Sequence, residues 1–166
     1  MITQDELKKL FSYNPETGKL TRLIRTARRA KVGQVAGNVN SRGYVDIQLH
    51  GQRYKAHRLV WLYVHGVWPE IGLDHINGIR SDNRIVNLRY ATPSQNQHNR
   101  GKPKNNTSGI KGVYWDKARK KWHAQINLDD TVIYLGRFTD SKDAAKAYAT
   151  AALKFHGEFS NQSSFI

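Results

Sequence analysis

The segment from Asp74 to Asn96 constrains the fold of this chain more than any other part of the sequence. A carboxylate and an imidazole are adjacent at Asp74 and His75, and two carboxamides follow at Asn87 and Asn96. Carboxylate and amide oxygens are hard ligands of the kind that Mg²⁺ and Mn²⁺ prefer. A histidine with a pKa near neutrality can take a proton from water. Together these residues predict a metal-assisted site that hydrolyses phosphodiester bonds.

The spacing of these residues also predicts a geometry. Apolar residues at 73–76 and 85–90 indicate two short strands, and Thr92-Pro93-Ser94-Gln95 then forms a capping box with proline at the first helical position. Asn96 is thereby placed in the first turn of a helix that follows the second strand. A strand, a loop, a strand and a helix in this order can close around one ion.

Charge and cysteine content narrow the classes of partner. The 166 residues include 27 Lys and Arg against 13 Asp and Glu, a formal net charge of +14, which favours a polyanion such as DNA. The chain has no cysteine, which excludes disulfides and zinc ribbons and fits a reducing cytoplasm. Because no run of about 18 apolar residues occurs, we expect neither a membrane span nor a membrane partner.

Capping, turn and periodicity signals outline the remaining elements and predict an α+β chain. We expect a helix from the Thr3–Glu6 capping box to Phe11, strands at 44–49 and 52–56, and a core helix at 57–67. A Gly-, Asn- and Lys-rich linker at 101–108 is followed by strands at 112–116, 122–128 and 131–138, a tight turn at Asp129-Asp130, and a helix at 141–156. The basic span from Arg22 to Lys31 is either a solvated loop or a phosphate contact.

Residues 57–100 resemble the HNH endonuclease family in its phage and intron-associated branch. The motifs that carry the resemblance are Asp-His-Ile-Asn-Gly from Asp74, Asp-Asn-Arg from Asp82 and Asn-Leu-Arg from Asn87. The resemblance implies a ββα-metal (His-Me finger) nuclease core in which His75 is the general base and Asn87 orients it and braces the loop. It also implies that Asp74 and Asn96 bind one Mg²⁺ or Mn²⁺ ion per site, and that the products carry a 5′-phosphate and a 3′-hydroxyl.

The chain departs from this family in one respect. Many relatives support the hairpin with a structural zinc held by four cysteines, which this chain lacks, so we expect no structural zinc and a core held by packing. His98 is an alternative metal ligand, although residues two apart on a helix face different ways. The residues expected to hold the hairpin by packing are Leu59, Val60, Trp61, Ile76, Ile85, Val86 and Leu88.

Residues 109–159 resemble the DNA-binding domain of the APETALA/ethylene-response-factor type, three antiparallel strands packed on one helix. Matching stretches include Trp122-His123-Ala124-Gln125-Ile126, Tyr134-Leu135-Gly136-Arg137-Phe138 and His156-Gly157-Glu158-Phe159. The resemblance implies that the outer sheet face enters the major groove, where amides read adenine and cations read guanine. The expected contacts are Tyr114, Trp115, Lys117, Arg119, Lys121, Gln125, Asn127, Tyr134 and Arg137, with Arg42, Arg80, Arg84 and Arg89 as further candidates nearer the nuclease motifs.

The sequence thus predicts an N-terminal module at 1–56, the nuclease core at 57–100, the linker, and a DNA-binding domain at 109–166. The expected function is a metal-dependent endonuclease of the homing type that acts site-selectively on double-stranded DNA and nicks one strand per active site. It would act as a monomer or dimer in the cytoplasm, the host's if a phage encodes it. The alternatives are a non-catalytic DNA-binding regulator and, ranked last because no aromatic RNA-binding motif is present, an RNA binder or nuclease.

Overall fold

A computed structural model describes residues 1–103, 105–129 and 131–161 of the chain. It divides into two compact units, Met1–Thr92 and a second unit that begins at Pro93. Helices and strands are mixed in both units, so the chain has the α+β character predicted from the sequence. No helix within the described ranges is both long enough and apolar enough to cross a membrane.

The first unit contains two helices, a three-stranded sheet and two hairpins. Helix α1 begins after the predicted capping box, which is present: the Thr3 hydroxyl accepts from the Glu6 amide, and the Glu6 carboxylate accepts from the Thr3 amide at 2.9 Å. Strands β1 and β2 form one antiparallel hairpin, β3, β4 and β5 form the sheet in that order, and β6 pairs with β7. The bounds are α1 Gln4–Leu10, β1 Phe11–Asn14, β2 Lys19–Arg22, β3 Asn38–Val39, β4 Val45–Leu49, β5 Gln52–Lys55, α2 Ala56–His65, β6 Leu73–His75 and β7 Leu88–Tyr90.

Helix α2 supplies much of the hydrophobic core of this unit. It ends at His65, and the left-handed backbone of Gly66 (φ +77°) closes the last turn. The expectation that Val67 extends the helix and its apolar face is wrong, because Val67 lies beyond the helix and is exposed. Fully buried side chains from α1, β1, β4 and α2 pack together in this core: Leu7, Phe11, Ile47, Leu49, Leu59, Val60 and Leu62.

The hairpin that carries Asp74 and His75 is shorter than predicted. Only Leu88–Tyr90 continues as strand β7, because Ile85–Asn87 forms a 3-10 turn in which the Asn87 amide donates to the Arg84 carbonyl. The apolar side chains of this turn therefore do not alternate as they would in a strand. Val86 is 78% exposed and Ile76 is 45% exposed, so the prediction that both help to hold the hairpin by packing is wrong.

The second unit is a three-stranded sheet with a helix packed on one face. Strand β9 lies between β8 and β10, and all pairings are antiparallel. Val113, Ala124 and Ile126 of the sheet are buried with Ala144 and Tyr148 of the long helix. The bounds are α3 Pro93–His98, β8 Val113–Asp116, β9 Lys121–Leu128, β10 Thr131–Phe138 and α4 Ser141–His156, followed by a 3-10 turn at Gly157–Phe159.

The division between the units lies before the segment that composition marks as a linker. Lys111 donates through its ammonium group to the carbonyls of His98 and Arg100, and the rings of His98 and His156 stack at 3.8 Å. These contacts place residues 93–100 in the second unit, whereas the sequence grouped them with the nuclease core. Asp130 lies outside the described residues, so the predicted turn is described only at Asp129, whose φ is +50°.

Candidate nuclease site

Asp74 lies on β6 directly opposite Arg89 of β7. The two side chains form a buried ion pair, in which Nε and a terminal nitrogen of Arg89 donate to Asp74 Oδ2 at 3.0 and 2.9 Å. Only 6% of Asp74 is exposed. Since a buried carboxylate without a partner would be strongly destabilising, the pairing with Arg89 offsets the cost of burying Asp74.

His75 follows Asp74 on the same strand and is enclosed by polar and aromatic side chains. Its Nε2 atom lies 3.1 Å from the side-chain oxygen of Asn83, and its ring meets the His57 ring edge-on at a centroid distance of 5.1 Å. The Tyr44 ring lies 6.0 Å away. Burial lowers the pKa of His75 below its ordinary value, against the opposing effects of the Asn83 hydrogen bond and the Asp74 charge. The imidazole is therefore neutral at cellular pH, the form that a general base requires.

The loop between the two strands is cross-linked by its own side chains. Asn87 Oδ1 accepts from the Asn77 amide at 3.0 Å, and Asn87 Nδ2 donates to the Asp82 carbonyl at 2.8 Å. Asp82 also accepts from Asn77 Nδ2 and from the Arg84 guanidinium, and these bonds lower its pKa to about 2. Asn87 thus braces the loop, and Asn83 forms a hydrogen bond with His75. The predicted role of Asn87 in orienting His75 stays a prediction.

Asn96 and His98, the predicted and the alternative metal ligand, lie on α3 in the second unit. His98 stacks on His156 and its carbonyl accepts from Lys111. The assignment of Asn96 as a second metal ligand stays a prediction.

The donor chemistry in the first unit fits a hard divalent ion. A structural zinc ion requires four protein ligands. Within the described ranges, no three His, Asp or Glu side chains are grouped so that they could hold a metal ion. Mg²⁺, in contrast, is commonly held by one or two protein oxygens together with water and substrate phosphates. Asp74 offers such an oxygen beside a neutral imidazole, and an ion bound there would compete with Arg89 for the carboxylate.

His57, at the start of α2, is a buried ring that the sequence analysis did not assign to the site. Its Nδ1 atom is buried and has no hydrogen-bond partner among the residues that the structure describes. Burial, together with the charges of His75, Arg58 and Lys55, lowers the pKa of His57 to about 3 against the opposing effect of Asp46. A buried polar atom without a partner destabilises a fold by about 1–3 kcal/mol. A position that carries such a penalty in contact with His75 is a candidate for a role in the site.

We expect this histidine to make the protein less stable in mild acid. In the unfolded chain His57 gains a proton below about pH 6.5, whereas in the folded chain it stays neutral down to about pH 3, so stability is lost as pH falls through that window. By pH 5 the loss from His57 is about 2 kcal/mol. Urea unfolding at pH 7.5 and pH 5 should show a smaller difference for His57→Phe than for the unchanged protein, and an equal difference in the two would contradict this assignment.

The basic residues near the nuclease motifs differ in their availability for DNA. Arg42 is exposed, and its carbonyl accepts from the Arg80 guanidinium, which also lies over the Tyr44 ring at 5.0 Å. Arg84 is bonded to Asp82 through two nitrogens. The side chain of Arg89 is only 13% exposed because it pairs with Asp74, so it lies within the site and not on an open surface.

The outer face of the second unit's sheet carries a ladder of rings with cations beside it. The rings of Tyr114 and Tyr134 lie 4.5 and 5.0 Å from the ring of His123, so the ladder crosses all three strands. A register shift between Tyr134 and Gly136 brings Arg137 opposite His123, and the Arg137 guanidinium lies 5.4 Å from the Tyr134 ring centre. Arg137 and Arg119 share Asp116 as an acidic partner.

The other predicted contact residues of this unit fall in different places. Gln125 is opposite Tyr134 on the outer face, and Asn127 is exposed further along β9. Lys117 and Lys121 are exposed at the hairpin between β8 and β9. Trp115 is opposite Trp122, and strand alternation places it on the face opposite to Tyr114.

The segment that carries Asp74 and His75 falls within a match to a known protein family. Residues 54–98 match the sequence profile of an HNH endonuclease family. Over 82 residues the chain is 39% identical to Protein 3.8 of Escherichia phage T7, an alignment that covers 47% of this chain and 68% of that protein. No solved structure matches the chain. The chain therefore belongs to the HNH endonuclease family.

Proposed function

We propose that this chain is a divalent-metal-dependent endonuclease that hydrolyses phosphodiester bonds of double-stranded DNA. The observation that carries the proposal is the buried pair of Asp74 and a neutral His75 at the start of the hairpin, within the region that matches the HNH family. An ion held by Asp74, with Asn96 as its predicted second ligand, would neutralise charge on the phosphate and on the leaving oxygen. His75 takes a proton from the attacking water, and such general-base help is worth about 10²–10⁴-fold in rate.

The remaining residues of the hairpin hold these groups in place. Asn87 fixes the loop through Asn77 and Asp82, so that the strand end carrying His75 keeps one conformation. Arg89 supplies a positive charge beside Asp74. One active site cuts one strand, so a single chain should nick DNA and leave a 5′-phosphate and a 3′-hydroxyl. The match to a phage protein favours a phage-encoded enzyme, and a homing role remains part of the proposal.

The sheet of the second unit supports a second function, duplex binding that directs the nuclease. Exposed rings and cations on one sheet face suit contacts with phosphates and base edges. If this face acted without catalysis, the chain would be a DNA-binding regulator. Incubation of supercoiled plasmid with Mg²⁺ separates the two: nicking that EDTA abolishes supports the nuclease, whereas plasmid that is bound and never nicked supports the regulator.

Two cations on the outer sheet face should contribute measurably to DNA affinity. We expect Lys121→Gln with Arg137→Gln to weaken duplex binding about 10- to 100-fold at physiological salt, and to reduce the slope of log K against log salt by about two. The control is the double variant Lys142→Gln with Lys146→Gln. It removes the same charge from exposed positions on α4, which packs on the opposite face of the sheet. Equal weakening in both double variants would show that only net charge matters.

A further inference from the structure

The hydrogen bond between Asn83 and His75 determines which nitrogen of the histidine carries the proton. Both residues are buried, with 3% of Asn83 and 4% of His75 exposed, and Asn83 Oδ1 lies 3.1 Å from His75 Nε2. A carbonyl oxygen of an amide can only accept a hydrogen bond. The shared hydrogen therefore belongs to Nε2, and in the neutral ring the lone pair belongs to Nδ1.

The backbone of Asn83 is held rigidly by the hairpin of β1 and β2. The Tyr13 hydroxyl donates to the Asn83 carbonyl at 3.3 Å and accepts from the Ile85 amide at 2.9 Å. Gly18, with φ +70°, lies so close to this backbone that a Cβ there would come within 2.5 Å of the Asn83 carbonyl carbon. The N-terminal module thus fixes the segment from which Asn83 reaches His75.

The ring of His75 is also restrained on its other sides. His57 meets it edge-on, with the two ring planes at 80°, and Tyr44 contacts both histidines. Rotation of the His75 ring would break the Asn83 bond and both ring contacts together. Asn83, His57 and Tyr44, which come from separate parts of the first unit, thus restrain the position of each nitrogen.

We infer that Asn83 is a positioning residue that holds His75 with its proton on Nε2, and so makes Nδ1 the atom that takes the proton from water. The inference rests on the proposed function. In that step the water oxygen forms a bond to phosphorus and its proton passes to Nδ1. The bond from phosphorus to the 3′ oxygen breaks, that oxygen keeps the electron pair and is protonated by solvent, and His75 later returns its proton to solvent.

Nitrogen NMR of the unchanged protein tests the assignment without any assay of cleavage. Long-range proton–nitrogen spectra of a sample labelled at histidine nitrogen distinguish a protonated from an unprotonated ring nitrogen, and the His75 signals are identified by their loss in His75→Gln. We expect Nε2 to be protonated and Nδ1 to be unprotonated at pH 7.5. The opposite tautomer would overturn the inference even if the protein cleaves DNA, whereas the expected tautomer in a protein that never cleaves would leave the positioning intact and refute the nuclease.

Two substitutions of similar size then test the effect on rate. Asn83→Leu removes the accepting oxygen, and we expect kcat to fall about 10- to 100-fold with DNA affinity unchanged, as is typical when the partner of a functional histidine is lost. Asn83→Asp keeps an accepting oxygen and should retain most of the rate. Asn38→Leu makes the same change at an exposed position on β3 and serves as the control.

The DNA affinity of Asn83→Leu and the rate of Asn83→Asp distinguish a structural effect from a positioning effect. If Asn83→Leu loses rate and DNA affinity together, or if Asn83→Asp is as slow as Asn83→Leu, the positioning role is refuted. If Asn83→Leu does not fold, Asn83→Asp and the spectra of the unchanged protein still decide between the two tautomers.

Discussion

Asp74→Asn is expected to reduce Mg²⁺-dependent DNA cleavage about 10³-fold or more while leaving DNA binding nearly unchanged. The amide keeps the shape of the side chain and an oxygen that can accept from Arg89, so the hydrogen bonds of the buried pair are retained although Arg89 loses its counter-charge. It lacks the negative charge that makes a carboxylate a strong ligand for a hard divalent ion. Several kcal/mol of transition-state stabilisation depend on such an ion, which corresponds to the expected loss in rate.

Single-turnover cleavage, Mn²⁺ binding by calorimetry and duplex affinity should be measured on the same preparation. Asp5→Asn is the matched control, because it removes one negative charge from an exposed position on α1 of the same unit. We expect Mn²⁺ affinity to fall in Asp74→Asn and to stay unchanged in Asp5→Asn. Full cleavage by Asp74→Asn would refute the role of this carboxylate.

His75→Ala should lower kcat by about 10²–10⁴-fold, since it removes the group that takes a proton from the attacking water. Unlike Asp74→Asn, it leaves the carboxylate and its partner Arg89 in place, so Mn²⁺ binding is expected to persist. DNA affinity should also persist, because a neutral imidazole adds no positive charge to the attraction of DNA phosphates. The two variants therefore separate metal binding from proton transfer, although both abolish most of the activity.

His65→Ala provides the control for the loss of a histidine from the same unit. His65 lies exposed at the end of α2, in contact with Trp61, and belongs to no part of the proposed site. We expect its rate to stay within a few-fold of the unchanged protein. A His75→Ala protein that cleaves at the same rate as His65→Ala would show that another group is the base.

Local signals in the sequence were sufficient for much of the fold. The Thr3–Glu6 capping box begins α1, Pro93 begins α3, and α4 covers the predicted residues because Asp140 caps its start and Gly157 closes its end. Each of these features depends on residues within one or two turns of chain. Short-range hydrogen bonding fixes them, so tertiary contacts do not need to be known.

Features that depend on distant contacts could not be predicted in this way. The role of Asn83 requires His75, Tyr13 and Gly18 to meet, and nothing in the local pattern of an Asp-Asn-Arg tripeptide separates a buried asparagine from one in an open turn. His57 could have been suspected, because it lies near the start of an apolar helix. Its contact with His75 depends on how α2 packs against the hairpin.

The boundary between the two units also depends on contacts between residues that are distant in the sequence. The segment at 101–108 has the composition of a linker. Composition reflects only the local conformational preferences of a segment and not its tertiary contacts. The contacts of residues 93–100 with Lys111, His156 and Asn161 join partners between about ten and sixty residues apart, and they determine to which unit the segment belongs. Prediction from the motif alone grouped Asn96 with the hairpin, and its role as a ligand stays a prediction.

The most direct test of the central claim is the chemistry of the DNA ends. Supercoiled plasmid should be nicked in the presence of Mg²⁺, and the deproteinised product should be resealed by DNA ligase without any treatment of its ends. Resealing requires a 5′-phosphate next to a 3′-hydroxyl, which are the ends that the proposed attack of water, with His75 as the base and Asp74 as the residue that would hold the ion, would leave. An absence of nicking with Mg²⁺ or Mn²⁺, or nicks that ligase cannot seal, would contradict this account.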